Sequence, residues 1–156
     1  MTPYQLLVST VDVAKIHEER LRNALTRLQN ILPLNEEKLS KLNHDDYAYL
    51  DVMSVRYAKL QDIIGAKIFY RLLDAMAEPI ESNRFLDMLA HLEKIGILDS
   101  MDFWIDLRNM RNFIAHEYPE EPLLLIQNIN NLHICSVKLL NFWEKLLQEI
   151  QKLSKN

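Results

Sequence analysis

Residues that favour tight turns are scarce in this sequence. The 156 residues include two glycines and five prolines, and 49% of the residues are hydrophobic. Glycine and proline supply many of the special backbone angles of tight turns, and sheets need many such turns. This composition therefore favours helices over sheets, with enough apolar surface for one core of ordinary size.

Hydrophobic residues recur at intervals of three and four in several stretches, as on one face of a helix. A first helix is predicted from Thr2-Pro3, a capping residue followed by a first-turn proline, and it ends before Pro33. Residues 34–43 form a polar connector with about one helical turn. A second, long helix ends before Pro79, and we expect close helix packing at its interior Gly65.

Three further helices follow the same signals. Ser82 or Asn83 is predicted to cap a short third helix, which Gly96 closes in a left-handed conformation. Asp99 and Ser100 open the fourth helix, and Pro122 starts the fifth. Because no strand-like alternation, repeat or second domain is visible, we predict one all-α domain over residues 1–156. Its architecture is an antiparallel up-and-down bundle of four to five helices.

Charge and cysteine content limit the possible environments. The formal net charge is −4, so contact with nucleic acid must come from a local basic site. No run of about 18 apolar residues is present, and the N-terminus does not have the pattern of a signal peptide. Cys135 is the only cysteine, which excludes an internal disulfide and fits a reducing compartment. We therefore expect a cytoplasmic protein with no membrane segment, and a buried, inert Cys135.

Metal and phosphate-loop chemistry are not indicated. His44-Asp45-Asp46 resembles a metal site, but it lies where a helix begins, and capping of backbone donors is the favoured role. The histidines elsewhere have no second ligand at metal spacing. Gly65 and Gly96 lie too far apart for a phosphate-binding loop. We predict no metal and no cofactor.

Residues 111–118, Arg-Asn-Phe-Ile-Ala-His-Glu-Tyr, are the clearest candidate for a functional site. They place a cation, an amide, an imidazole and a phenol within about two helical turns. At about 100° per residue, Asn109, Asn112 and His116 share one side of the fourth helix with Arg108, and Arg111 lies close by. The apolar residues of this helix, Phe103, Leu107, Met110 and Ile114, fall on the opposite side. The polar side is therefore predicted to point away from the core of its own bundle.

These side chains suit RNA cleavage without a metal. An imidazole can take the proton from a ribose 2′-hydroxyl or protonate the leaving oxygen, while a guanidinium stabilises charge on the phosphate. An exposed helix surface is poorly suited to catalysis, because catalysis needs a cleft that excludes water. A two-fold dimer would supply one from two copies of the same helix. We predict a homodimer in which the two His116 copies act as acid and base.

The pattern of Arg111, four residues, His116, one residue and Tyr118 resembles the motif of the HEPN superfamily, and within it the HepT-type toxins. Asn112 fits, because a polar residue commonly follows the motif arginine there, and residues 59–69 also look similar. The resemblance implies an all-helical homodimer with metal-independent ribonuclease activity at a composite site. It also implies a minimal nucleotidyltransferase (MntA-type) antitoxin that adds AMP to the motif tyrosine, here Tyr118, and so silences the toxin.

The predicted roles are those of a HepT-like ribonuclease toxin. His116 is the acid or base, Arg111 holds the scissile phosphate, Asn112 orients either group and Tyr118 is the point of control. In simpler interpretations His116 contacts the carbonyls of the helix end, and Tyr118 packs beside the next residue, a proline.

Two further alternatives stay open. Arg108 and Arg111 can be ordinary surface ion-pair partners of Glu117 or Asp106, and for Arg108 this is the favoured interpretation. On the scale of the whole protein, the alternative is a non-catalytic helical subunit that binds substrate, or acts as an antitoxin, beside a nucleotidyltransferase.

Overall fold

Every regular element in the described part of the chain is helical. The computed structural model describes residues 1–80, 82–114 and 120–154. The elements are α1 (Pro3–Arg27), α2 (Glu36–Ser40), α3 (His44–Ile63), α4 (Phe69–Ala75), α5 (Phe85–Lys94), α6 (Met101–Ile114) and α7 (Pro122–Leu153), and a π-helical turn (Ile64–Ile68) joins α3 to α4. The all-α prediction is confirmed, with α2 as the predicted turn of helix in the connector. None of the helices in these ranges has the length and hydropathy needed to cross a membrane.

Hydrogen-bonded caps start α1 and α3. The backbone N–H of Gln5 donates to Thr2 Oγ1 at 3.1 Å, and Gln5 Oε1 accepts from the Thr2 N–H. Asn43 and Asp46 form the same reciprocal pair at the start of α3. Each pair satisfies backbone donors that a helix leaves open at its first turn. The capping role predicted for the acidic group at residues 44–46 is therefore confirmed, with Asn43 as the capping residue.

The start of α5 differs from the prediction. Its capping position is Arg84, which makes no side-chain cap, while Ser82 Oγ accepts from the Arg84 N–H at 3.1 Å. Ser82 and Asn83 lie before the helix, because this local bond keeps the chain in a turn there. The other end follows the prediction, since Gly96 has φ +84° just after the helix.

The helices α3 and α4 form one long rod, which packs antiparallel to α1. Contacts show the direction, because Arg27 of α1 lies over the ring of Tyr49 near the start of α3, whereas Thr10 of α1 bonds Arg71 of α4. The sequence predicted this rod as one helix. The π-helical turn interrupts it, with the Phe69 N–H bonded to the Ile64 carbonyl five residues back.

The helix α6 is fixed by Trp104 and by a buried tyrosine. Trp104 is fully buried, 4.7 Å from the ring centre of Phe69 and 5.5 Å from that of Phe142 in α7. Its indole packs against Gly65, where a Cβ would come within 3.2 Å of the ring. Buried Tyr57 of α3 donates its hydroxyl to the Leu107 carbonyl at 2.8 Å. Close packing at Gly65 is confirmed, and these contacts set the position of α6 against the rod.

Candidate functional site

The two-sided character predicted for α6 is confirmed over its described residues. Arg108, Asn109 and Asn112 are exposed, while Leu107 is buried. Phe103, Met110 and Ile114 are half-buried against the core. The deepest residue of the helix, Trp104, was not part of the predicted apolar side. Trp104 packs against Gly65 and Phe69, so the edge of α6 that carries Trp104 faces the rod.

Arg111 lies on this edge and binds Asp62 at the end of α3. Its Nε donates to Asp62 Oδ1 at 2.7 Å, and its Nη2 donates to Asp62 Oδ2 at 2.8 Å. The hydrogen bond to Asp62 is the main cause that raises the pKa of Arg111. Both side chains stay partly exposed, at 32% and 47%. The partner is therefore Asp62 and not Asp106, while Glu117, the other partner considered, lies outside the described residues.

The two-pronged bond fixes the plane of the guanidinium and leaves part of it available. A guanidinium has five N–H donors. Two bind Asp62, so three remain, and the described residues supply no hydrogen-bond partner for them. A carboxylate on one edge holds the group in a single orientation, while the other edge retains the geometry that suits a phosphate oxygen pair. Such a group is already positioned to receive an anion.

Asn112 follows Arg111 in the sequence and lies on the exposed side of α6, whereas Arg111 faces α3. Its amide makes no hydrogen bond to another described residue. His116 and Tyr118, the other two residues of the predicted site, lie outside the described residues, and their roles stay predictions. Of the four predicted site residues, the structure thus places two, Arg111 and Asn112, next to each other at the end of α6. Asp62 is the site residue that the predicted set did not include.

A polar cleft opens next to Asp62. It has a volume of about 350 Å³, and Gln61, Gly65, Tyr70 and Arg108 contribute to its walls. The Arg108 guanidinium lies 4.2 Å from the ring centre of Phe85, which also lines the cleft. Among the described residues Arg108 therefore makes a cation–π contact and no ion pair, while its other predicted partner, Glu117, lies outside them.

A second groove, of about 400 Å³, runs between α6 and α7. Phe113 and Ile134 line it and are 47% and 52% exposed. Cys135 also lines it and is half-buried, and burial is the main cause that raises the pKa of its thiol. A thiol with a raised pKa stays protonated near neutral pH and is a weak nucleophile. Cys135 is therefore not a candidate catalytic residue.

The described residues include no group of three side chains arranged to hold a metal ion. Comparison with known proteins finds no family model, no curated protein and no solved structure that matches this chain. The chemistry of the site is therefore inferred from its own residues.

Proposed function

We propose that this chain is a metal-independent ribonuclease toxin of a HepT-like, type VII-like toxin–antitoxin pair. It cleaves RNA in the cytoplasm at a composite site across a homodimer. A cognate nucleotidyltransferase neutralises it by AMPylation of Tyr118. The observation that carries this proposal is the guanidinium of Arg111, which Asp62 holds by two hydrogen bonds and whose remaining donors have no hydrogen-bond partner among the described residues. The sequence then places an imidazole five residues after this oriented cation and a phenol two residues further.

In the proposed reaction the ribose 2′-oxygen is the nucleophile. His116 of one subunit takes the 2′-hydroxyl proton as the 2′-oxygen bonds to phosphorus, and the bond from phosphorus to the 5′-oxygen breaks. His116 of the partner subunit gives its proton to the departing 5′-oxygen. The products are a 2′,3′-cyclic phosphate and a 5′-hydroxyl. Arg111 donates to the non-bridging phosphate oxygens, whose charge grows in the transition state, and Asn112 orients either group.

A dimer through α6 and α7 would complete this site. The groove between the two helices exposes Phe113 and Ile134, and Val137 on α7 is 42% exposed. Burial of such apolar side chains favours association. A two-fold contact brings the same elements of both subunits to the axis, so each α6 end would face its copy. Both His116 copies would then lie in one crevice.

The acidic net charge is compatible with a short substrate. A protein with a net charge of −4 repels a long duplex as a whole. A single-stranded end or loop needs only a few phosphate contacts and also offers its 2′-hydroxyl groups. We therefore propose an RNA end or a loop as the substrate, which makes the activity that of an endoribonuclease or an RNA-end nuclease.

Replacement of His116 with alanine tests the catalytic half of this proposal. Because a general acid or base contributes about 10²–10⁴-fold to a rate, we expect cleavage to fall by at least about 100-fold. The measurement is cleavage of end-labelled RNA by the purified dimer in the presence of a chelator. His44→Ala, at the exposed start of α3, is the matched control and should retain full activity. Undiminished cleavage by the His116→Ala variant would refute the assignment.

Intact mass after co-expression with an active nucleotidyltransferase tests the regulatory half. We expect the wild-type chain to gain one or more AMP units and Tyr118→Phe to gain none. Tyr47→Phe is the control, because Tyr47 is 49% exposed and should leave the modification unchanged. The Tyr118→Phe chain should stay toxic in the presence of the partner. An unmodified wild-type chain beside an active transferase would exclude this regulation.

The second candidate function is a non-catalytic helical subunit that binds substrate, or acts as antitoxin, beside a nucleotidyltransferase. This candidate rests on the cleft of about 350 Å³ next to Asp62, because polar walls and the Arg108–Phe85 pair can recognise a ligand without catalysis. Under this alternative the purified protein cleaves no RNA, and His116→Ala leaves partner binding intact.

A further inference from the structure

Four basic side chains cluster where α1 crosses α3. Arg56 Nη1 lies 3.0 Å from His17 Nδ1, and Arg20 and Lys59 are close enough to act on the same imidazole. Burial, followed by the charges of Arg56, Lys59 and Arg20, lowers the pKa of His17. The neutral ring can then accept the hydrogen bond that Arg56 donates. The group His17, Arg20, Arg56 and Lys59 is called the α1–α3 basic surface below.

This surface contains no ion pair among the described residues. Elsewhere in the same ranges, Arg22, Lys41 and Lys152 each pair with a glutamate one helical turn away. None of the three permanent cations of the α1–α3 basic surface forms such a pair. Cations held close together without an anion repel one another, so the arrangement favours the binding of an external anion.

In the same rod, basic side chains are concentrated in the stretch between Asp51 and Asp74. Residues 52–73 contain four basic side chains, Arg56, Lys59, Lys67 and Arg71, and one carboxylate, Asp62. Arg111 already binds that carboxylate. In a chain with a net charge of −4, this stretch is a local basic site of the kind that nucleic-acid contact requires here.

The surface also leads to the proposed catalytic residues. Arg56, Lys59 and Asp62 follow one another at three-residue intervals and therefore lie on neighbouring turns of α3. At 1.5 Å per residue, the row extends for about 9 Å and ends at the carboxylate that holds Arg111. One strand could place successive phosphates along this row.

We propose that the α1–α3 basic surface binds the backbone phosphates of a single-stranded RNA as it leads to Arg111. This inference rests on the proposed ribonuclease function and names the path of its substrate. The exposed Val13, Ile16 and Val55 precede His17, Arg20 and Lys59 by one turn each, which gives bases an apolar surface beside the cations. No aromatic side chain takes part, so affinity is mainly electrostatic, with steep salt dependence and little sequence preference.

The test is binding of a fluorescently labelled single-stranded RNA, followed by anisotropy over a salt series, in a His116→Ala background that leaves the RNA intact. Arg20→Gln, Arg56→Gln and Lys59→Gln together should weaken binding by about tenfold or more at low salt. With about 0.7 counterions released per phosphate, the slope of log Kd against log salt should fall by about 2. The matched control, Lys41→Gln, Lys145→Gln and Lys152→Gln, removes the same charge from exposed positions and should bind like the parent.

The exposed single variant Lys59→Gln keeps the test decisive if the triple variant unfolds, since its slope should still fall by about 0.7. Equal affinity and slope for the basic-surface and control variants would overturn the inference. Tighter binding of phosphatidylserine vesicles than of RNA, lost in the triple variant, would also overturn it and indicate a membrane partner. If the wild type binds RNA through this surface but cleaves none, the proposed function fails and this inference stands. If the wild type cleaves RNA and replacing the three cations changes neither the affinity nor the salt slope, this inference fails and the proposed function stands.

Discussion

Replacing Asp62 with alanine is expected to lower the rate of RNA cleavage by about 100-fold with little change in stability. Asp62 does not contact the substrate in the proposed reaction, and its role is to position the Arg111 guanidinium through two hydrogen bonds. Loss of orientation near a reacting phosphate costs on the order of 100-fold in rate. A partly exposed ion pair contributes less than about 1 kcal/mol to folding. Single-turnover cleavage and chemical denaturation of the same samples measure the two effects.

Three comparisons separate positioning from a purely structural role. Asp62→Asn keeps one acceptor for Arg111 and should have an intermediate rate. Asp106→Ala removes an exposed carboxylate from α6 without touching the pair, and should cleave like the wild type. The defect of Asp62→Ala should lie in kcat more than in KM, because the cation itself remains. A large loss of stability with an unchanged kcat would show that the pair only holds α6 to α3.

Replacing Trp104 with alanine is expected to reduce the free energy of unfolding by about 3–5 kcal/mol, the range for a large buried aromatic residue. Trp104 is fully buried and packs against Phe69 and Phe142, so the surrounding helices cannot close the space that it leaves. Its Nε1 is buried without a partner among the described residues, and Trp104→Phe, which removes that atom, should cost much less. Urea denaturation measures both variants. A loss below about 1 kcal/mol for Trp104→Ala would contradict the packing.

Gly65 gives this prediction an internal control. In the wild type, a Cβ at Gly65 meets a ring that its neighbours hold in place, so Gly65→Ala should destabilise the protein. In the Trp104→Ala background that clash is gone, and the helix propensity of alanine should instead stabilise it by up to about 1 kcal/mol. A double-mutant cycle isolates the coupling between the two positions. Additive effects would mean that the ring yields to the added methyl group.

The helices were predictable from local signals, because caps and hydrophobic spacing act within a few residues. Thr2, Gly96, Ser100 and Pro122 all mark helix ends as expected, and Ser100 Oγ accepts from the backbone at the start of α6. The start of α5 was mispredicted, since Ser82 can bond a neighbouring backbone N–H in a turn as readily as in a helix.

The site was only partly predictable for a different reason. Spacing along α6 identified the exposed side of Arg108, Asn109 and Asn112. Helical spacing can identify only partners on the same helix, so it could not identify a partner of Arg111 on α3. The observed partner, Asp62, is 49 residues away and becomes a neighbour only when α6 packs on the rod. Only the family-like appearance of residues 59–69 pointed to that region. The helical wheel also placed Arg111 near Asn112, whereas the structure turns the arginine toward α3.

The π-helical turn determines which side of the rod carries its buried aliphatic residues. Leu60, Ile64, Ile68 and Leu72 are fully buried and follow one another at intervals of four. On a regular α-helix, three such steps would carry the last residue about 120° around the axis, away from the first. The wider turn absorbs this drift and keeps all four on one side. Deletion of one residue in this turn would restore the drift and force α4 to expose residues that it now buries.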